Sequence, residues 1–598
     1  MSKYADLSKE ELLRLIETQE QELKSKKYGL VWDNEKEPEQ VVLDCENNLP
    51  ILERIPEKQI RTNDTEDNIL IEWDNYHALT VLNYTHKEKI DVIYIDPPYN
   101  TGNKDFVYND RYVDKEDWYR HSKWLNFMEK RLNLAKRLLK ENWLIFISID
   151  DNEVAQLKLL CDKIFDWNTS KWWKTNFIAC LPTIMNLKGN NDQFGFAGTH
   201  EYTLVYAKNI EKAKVNEFDI DEEEVLDKWE EDEIGPYKKG ANLKSTGVNA
   251  PRAKRPNLFF PIFINEKNKE AYVTENDKPL NSNDIKILPI TNTQEMSWRW
   301  SKTKIRNEQH NIILIWEDWE YSIYKKQRPN IGELPSKKPK TLFYKPEYSS
   351  WNGTALLKDI FQEKVFDNPK PLDLIKDILI LSTNKDSIIL DFMAWSWTTG
   401  HATLELNKLD NGNRKFILCT NNELNGVGSK LAEENPKRNL KELWICQRVT
   451  HPRLEKVINW YDSIEGTGGN LQYFQTKFIK KTSSRDQVKF DLTNKCTEML
   501  CVKDNIFNLI KEDKNYKIFS SNDKKRFLCI YYSFMKDETD VFIKELKNIK
   551  EEKNIYMFSE TKEVDLEIFK DIKNYNIEAI PEPILEIYRE LVKMNISK

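Results

Sequence analysis

Short apolar runs alternate with amphipathic segments in two separate stretches of this chain, and not between them. In the first, from Asn68 to about Asp166, "NILIEW", "IDVIYI" and "LIFISI" read as buried strands. "NYHALTVLNYTH", "HSKWLNFMEKRLNLAKRLLK" and "DDNEVAQLKLLCDKIF" have helical spacing. "HEYTLVYAKN" adds one more strand. In the second stretch, after about Asn352, "KPLDLIKDILILS" is helical, "SIILDF" a strand, "HATLELNKL" a helix and "RKFILCT" a strand. Strands alternating with helices specify a mostly parallel sheet covered on both faces. One α/β sheet is therefore expected from two separated halves, with an insertion between them.

The insertion has a different character. Residues near 170–350 are irregular, basic and aromatic. Gly235–Lys345 carries 21 Lys/Arg against 11 Asp/Glu, within a chain of net charge -7. Such a region suits a polyanion, although on charge alone an ordinary solvated surface is an equally open reading. The expected organisation is an N-terminal helix and lead-in (1–60), the first half of the α/β domain (61–210), the inserted region (211–352), the second half (353–473) and a small C-terminal α/β module (474–598). Residues 8–27 read as a polar helix with Leu12, Leu13, Leu15 and Ile16 on one stripe. It packs either on its own domain or on a partner. No apolar run reaches the ~18 residues of a membrane span, and the N-terminus lacks the apolar core of a signal peptide. The eight cysteines contain no C-x-x-C, and the seven histidines form no ligand cluster with them. A cytoplasmic, reduced, metal-free protein is expected.

Two strand–turn passages carry the chemistry. Asp96-Pro97-Pro98-Tyr99 follows the strand "DVIYI". Two prolines stiffen the turn and remove its N–H groups, so it offers acceptors beside an aromatic face. That suits a planar heterocycle with an exocyclic amino group, while a strand-terminating turn is the plain alternative. The second passage, "DFMAWSWTTG", joins a strand to a helix, where nucleotide-like cofactors are usually held by glycine-built turns.

"IDVIYIDPPYNTG" resembles the catalytic motif of the amino-group DNA methyltransferases in their N6-adenine form. "DFMAWSWTTGHATLELNK" resembles their S-adenosylmethionine motif, and the motif order is that of the β class. "KYGLVW", "ISIDDNE", "GTHEYTLVYAKN", "SWRWSK", "FDNPKPLDLI", "NRKFILCTNNE" and "IPEPILEIYREL" are similar to stretches of the modification (Mod) subunits of type III restriction–modification systems. The resemblance implies a Rossmann-like methyltransferase fold with an inserted target-recognition region. It implies an adenine-N6 enzyme acting on double-stranded DNA, a modification homodimer and an ATP-dependent restriction (Res) partner. Asp96 and the Pro97 carbonyl would accept the amino N–H groups of a base flipped out of the duplex, with Tyr99 stacked on it. Cofactor contacts are implied for Asp391, Phe392, Ala394, Trp395, Ser396, Trp397 and Thr398. Lys370 and Pro371 of "NPKP", Asp74 upstream and Glu423, as the ribose-binding acid, complete the set.

The chain departs from the family at the second motif. Trp395 and Trp397 stand where the family has glycines, and an indole at each is expected to fill cofactor space. Glycine is also expected at Trp73, Trp143 and Trp351; Trp444 and Trp460 look similar, Trp118 and Trp319 less clearly so. Trp32, Trp124, Trp229, Trp298 and Trp300 look native. There are 17 glycines and 18 tryptophans in all, where glycine is ordinarily about 7% of a chain. One substitution repeated this way points to UGA codons that mean glycine, translated as tryptophan. Read literally, the same residues imply a catalytically impaired DNA-recognition subunit. An enzyme acting on RNA or protein, and cytosine-N4 methylation, are the remaining alternatives.

Overall fold

The computed structural model describes residues 39–596 except 104, 110, 167–174, 190–194, 220–228, 318, 329–335, 462–463, 482–483 and 534–538; nearer the N-terminus it describes only 9, 12, 13, 16 and 17. Most of the helix expected over 8–27 lies outside the described residues. The chain forms two units, one of residues 1–216 with 340–598 and one of residues 217–339.

The first unit is built on one large sheet. Its strands run, in order, Asn48–Arg54, Asn470–Lys480, Asp67–Glu72, Lys415–Thr420, Ile388–Asp391, Ile90–Ile95, Leu139–Ile149, His200–Ala207 and Phe177–Ile184, with the short Ile60–Arg61 beside Asn470–Lys480. The five pairings from Asn470–Lys480 to Leu139–Ile149 are parallel, and the outer ones are antiparallel. Asp67–Glu72 and Ile90–Ile95 are buried at every position, as strands covered on both faces must be. Sheet order interleaves the two sequence halves. The fold is the α/β, mostly parallel, Rossmann-like arrangement expected of a methyltransferase.

The C-terminal boundary expected at 474 falls inside a strand. Asn470–Lys480 pairs with Asp67–Glu72 on one side and Asn48–Arg54 on the other. The five-stranded sheet that follows, from Asn508–Glu512 to Tyr575–Ile580, shares a core with it. Phe519, Leu528 and Tyr556 pack in the same apolar cluster as Ile51 and Phe474. The module therefore differs from the independent one expected, because burial across the junction joins what local pattern separates.

The second unit lies within the expected recognition region of 211–352. It consists of short-stranded sheets around Leu243, Phe260, Ile262, Trp298, Trp300 and Ile323. Cations lie over its aromatic rings, among them Lys239 on Tyr324 at 4.0 Å and Arg252 on Phe259 at 4.3 Å. Trp298, fully enclosed, donates its indole N–H to the Phe260 carbonyl at 2.7 Å.

Candidate active site

Parallel pairing of Ile389 with Val92 and of Leu390 with Ile93 sets Asp391 and Asp96 at neighbouring strand ends. A cleft of ≈ 1190 Å³ opens there. Asp96, Pro97, Pro98, Tyr99, Lys370, Asp391, Ala394, Trp395, Ser396, Thr398 and Glu423 all line it. This is the crevice beyond the carboxyl ends of a parallel sheet, where ligands of such folds bind.

The Asp-Pro-Pro-Tyr turn is held from behind. Trp124, fully buried on the helix Arg120–Leu138, donates its indole N–H to the Pro98 carbonyl at 2.7 Å. Asn100 has a left-handed backbone (φ 55), and its amide donates to the buried Glu153 carboxylate at 2.6 Å. Burial pushes the Glu153 carboxyl up to about 8. Tyr99 donates its hydroxyl to Glu201 at 3.1 Å. The Lys370 ammonium reaches Tyr99 Oη at 2.5 Å, Glu201 Oε1 at 2.6 Å and Asp96 Oδ1 at 3.3 Å. Two carboxylates, an ammonium and an aromatic ring thus share one buried corner.

The opposite wall is the turn after Ile388–Asp391. Asp391 accepts from the Met393 N–H at 3.0 Å and from the Thr399 hydroxyl at 2.6 Å, and burial pushes its carboxyl up to about 7. Phe392 is fully buried, and the Ala394 N–H bonds the Cys419 carbonyl at 3.1 Å. Thr398 donates to the Lys370 carbonyl at 3.0 Å, and Arg453 donates to the Ser396 carbonyl at 2.7 Å. Lys370 therefore serves both walls, its backbone at the turn and its side chain beside Asp96, Tyr99 and Glu201. Pro371 is the N-cap of the helix Leu372–Ser382. Glu423 accepts from the Asn421 amide at 2.8 Å, and burial pushes its carboxyl up. Asp74 caps the helix Asn75–Thr85 by accepting from the Tyr76 N–H at 2.7 Å, and it pairs with the buried Arg131 at 3.3 Å.

The two tryptophans of the turn behave differently from the expectation that both fill cofactor space. Trp397 does not line the cleft. It turns inward, fully buried against Phe416 at 5.9 Å between ring centroids, and its indole N–H has no acceptor. Trp395 does line the cleft, and its indole N–H donates to the Asp96 carbonyl at 2.7 Å. Behind it lies a second pocket, lined by Asn75, Phe106, Thr420, Asn421 and Glu423, of only ≈ 20 Å³. That is room for a water molecule, which needs about 10–15 Å³, and not for a nucleoside. Both tryptophans have left-handed backbones, Trp395 at φ 35 and Trp397 at φ 74. Trp73 (φ 136) and Trp319 (φ 66) share this property. Each such residue costs on the order of 1–3 kcal/mol when it is not glycine. The described tryptophans read as native, Trp124, Trp229, Trp298 and Trp300, are absent from the positive-φ residues. Trp444 (φ -58) and Trp460 (φ -177) need no glycine, and Trp351 lies in the ordinary helix Ser350–Phe361.

Sequence reasoning passed over several residues of the site. Glu201 lies inside "GTHEYTLVYAKN" with nothing local to mark it, and Trp124 has no sequence signal beyond an apolar helical position. Arg131 and Arg453 are buried arginines on helices, and a lone charge at an apolar helical position was the available signal. Among the described residues, no group of three or more His, Cys, Asp or Glu could hold a metal ion, and no helix is long and apolar enough to cross a membrane.

The chain belongs to the DNA methylase family, whose model matches residues 90–425. It is 42% identical over 479 residues to the Mod subunit of the type III restriction–modification enzyme EcoPI of Escherichia phage P1, covering 75% of this chain and 73% of that one. It is 35% identical over 353 residues to the type II methyltransferase M.KpnI of Klebsiella pneumoniae, covering 58% of this chain and 79% of that one. Among solved structures, the PvuII cytosine-N4-specific DNA methyltransferase aligns over 65% of this chain and 94% of its own, at 10% identity and a TM-score of 0.31.

Proposed function

We propose that this chain is a site-specific DNA methyltransferase that modifies adenine N6 in double-stranded DNA with S-adenosylmethionine, as the modification subunit of a type III restriction–modification system. The observation that carries this reading is the juxtaposition of Asp96-Pro97-Pro98-Tyr99 and the Asp391–Thr399 turn on one cleft. Similarity to a type III Mod subunit over most of both chains supports it. The homodimer, the Res partner, the cytoplasmic location and the assignment of the individual site residues belong to the same proposal.

The chain's own residues supply positioning and charge. Asp96 and the Pro97 carbonyl accept the two amino protons of the flipped adenine, which turns the nitrogen lone pair away from the ring. Tyr99, braced by Lys370 and Glu201, is the stacking face. The cofactor supplies an electrophilic methyl group. Asp391, Ser396, Thr398 and Glu423 are a donor and acceptor set that suits its polar ends. The work is done by orientation and fixed dipoles. The test is transfer of labelled methyl to duplex DNA by the full chain with glycine at 395 and 397, followed by nucleoside analysis of the product. N6-methyladenine that disappears with Asp96→Ala supports the reading. N4-methylcytosine, or labelling only of RNA or protein, overturns it.

A second reading concerns the chain as it stands, and the ≈ 20 Å³ pocket behind Trp395 favours it. With an indole there the nucleoside side of the site does not fit the cofactor, and the protein is a DNA-recognition subunit impaired in catalysis. Left-handed backbones at Trp73, Trp319, Trp395 and Trp397 support glycine as the natural residue at these four, read from UGA. The codons decide: UGA at these positions with UGG at Trp298 and Trp300 supports recoding, and UGG at Trp395 and Trp397 overturns it.

A further inference from the structure

Glu201, the second residue of the strand His200–Ala207, lines the cleft at the corner that holds Asp96 and Tyr99. It is only 9% exposed, as is Lys370. Its two oxygens are both engaged, Oε1 by the Lys370 ammonium at 2.6 Å and Oε2 by the Tyr99 hydroxyl at 3.1 Å. The same ammonium bonds Tyr99 Oη at 2.5 Å and sits 4.9 Å from the centre of the Tyr99 ring. Asp96 is the poorer partner. Its Oδ1 lies 3.3 Å from the ammonium and is buried without a hydrogen bond.

Charge explains why this matters. One ammonium faces two carboxylates in a corner with little water. Lysine has three protons to give and no acceptor. Were Glu201 uncharged, the ammonium would close on Asp96 and occupy the oxygen that must receive an amino proton. Were Lys370 uncharged, Asp96 and Glu201 would confront each other, and like charges in a shared site favour protonation of one of them. Among the described residues, Tyr94 and Asp391 are further titratable groups that face Asp96.

We infer that Glu201 is a positioning residue of the methyl-transfer centre: it draws the Lys370 ammonium off Asp96, which keeps Asp96 open to the target's amino group, and it fixes the Tyr99 ring. This rests on the methyltransferase reading above. Glu201 acts through Lys370 and Tyr99, which engage both its oxygens.

The experiment has two arms. In the first, the full chain with glycine at 395 and 397 is assayed for methyl transfer across pH. Glu201→Gln should lower kcat by roughly tenfold or more, short of the ~10²–10³-fold lost with a donor that touches the reacting atoms, with KM for DNA little changed. Glu201→Asp should recover part of the loss. Lys370→Met should move the acid limb of the kcat profile to higher pH, and Glu201→Gln added to it should move the limb back. In the second arm, the unmodified chain carries 13C-labelled aspartate carboxyls. The Asp96 signal is identified by its loss in Asp96→Asn and followed with pH in Glu201→Gln and Lys370→Met. Opposite displacements of that titration in the two variants support the inference. Parental kcat and an unmoved Asp96 titration in Glu201→Gln overturn it. So does a loss of activity that tracks thermal stability with no change in either profile, because that is a purely structural role. If the reference chain transfers no methyl group but the Asp96 titration moves as stated, the methyltransferase reading falls and the charge arrangement stands.

Discussion

The indole N–H of Trp395 donates to the backbone carbonyl of Asp96 at 2.7 Å, tying the turn after one strand to the end of its neighbour. Trp395 is also among the residues that line both the open cleft and the adjoining ≈ 20 Å³ pocket, together with Pro98, Ala394 and Glu423.

Trp395→Gly should therefore open the site. Calorimetric titration with S-adenosylmethionine should show affinity at least tenfold above that of the unmodified chain, about 1.4 kcal/mol. Trp397→Gly alone should change affinity by less than about threefold, because its indole lies inside the fold and away from the cleft. Equal gains from the two substitutions would show that turn conformation, and not occupied space, limits binding.

Glu153 should make stability depend on pH. Burial, its largest cause, raises its carboxyl from 4.5 to about 8 in the folded chain, against the Asn100 hydrogen bond, which lowers it. The folded state then holds a proton that the unfolded chain releases above 4.5. The contribution is fully present below 4.5 and is lost as pH rises through about 8. Thermal melts between these limits should show Tm falling with pH in the parent and a flatter dependence in Glu153→Gln.

Trp124→Phe should keep the packing of the helix Arg120–Leu138 and remove the donor to Pro98. A buried carbonyl left without its donor costs about 1–3 kcal/mol. The expected result is that loss in denaturant unfolding, together with a fall in kcat larger than any change in DNA affinity, because Pro98 is part of the turn proposed to be catalytic.

Arg131→Met should destabilise the first unit strongly. Arg131 is fully buried and pairs with Glu39 at 2.7 Å and Asp74 at 3.3 Å. Removing one member of such a pair typically costs about 3–5 kcal/mol, since the partners remain buried and charged. Urea unfolding of the parent and the variant measures it.

Much of the site was legible before the structure. "IDVIYIDPPYN" and "SIILDFMAWSWTTG" announce buried strands running into turns, and apolar periodicity alone places Asp96 and Asp391 at strand ends. The insertion was legible from a loss of period and a local excess of cations. The boundary at 474 was misplaced, because Asn470–Lys480 reads locally as the start of something new and is held in the main sheet by Asp67–Glu72 and Asn48–Arg54. Glu201 carries no local mark of function. Its role needs Tyr99 and Lys370, which come from distant parts of the chain.

The sequence by itself determined the class of fold, the two motifs and the oddity of the tryptophans, since period, turn chemistry and composition are local properties. Only the tertiary structure decided which strands are neighbours, that Lys370 faces Asp96 and Glu201, and that Trp395 lines the cleft while Trp397 does not. Side-chain direction depends on a turn's backbone and on what packs behind it. At φ 35 and φ 74 two indoles, two residues apart, go to opposite sides of the same wall.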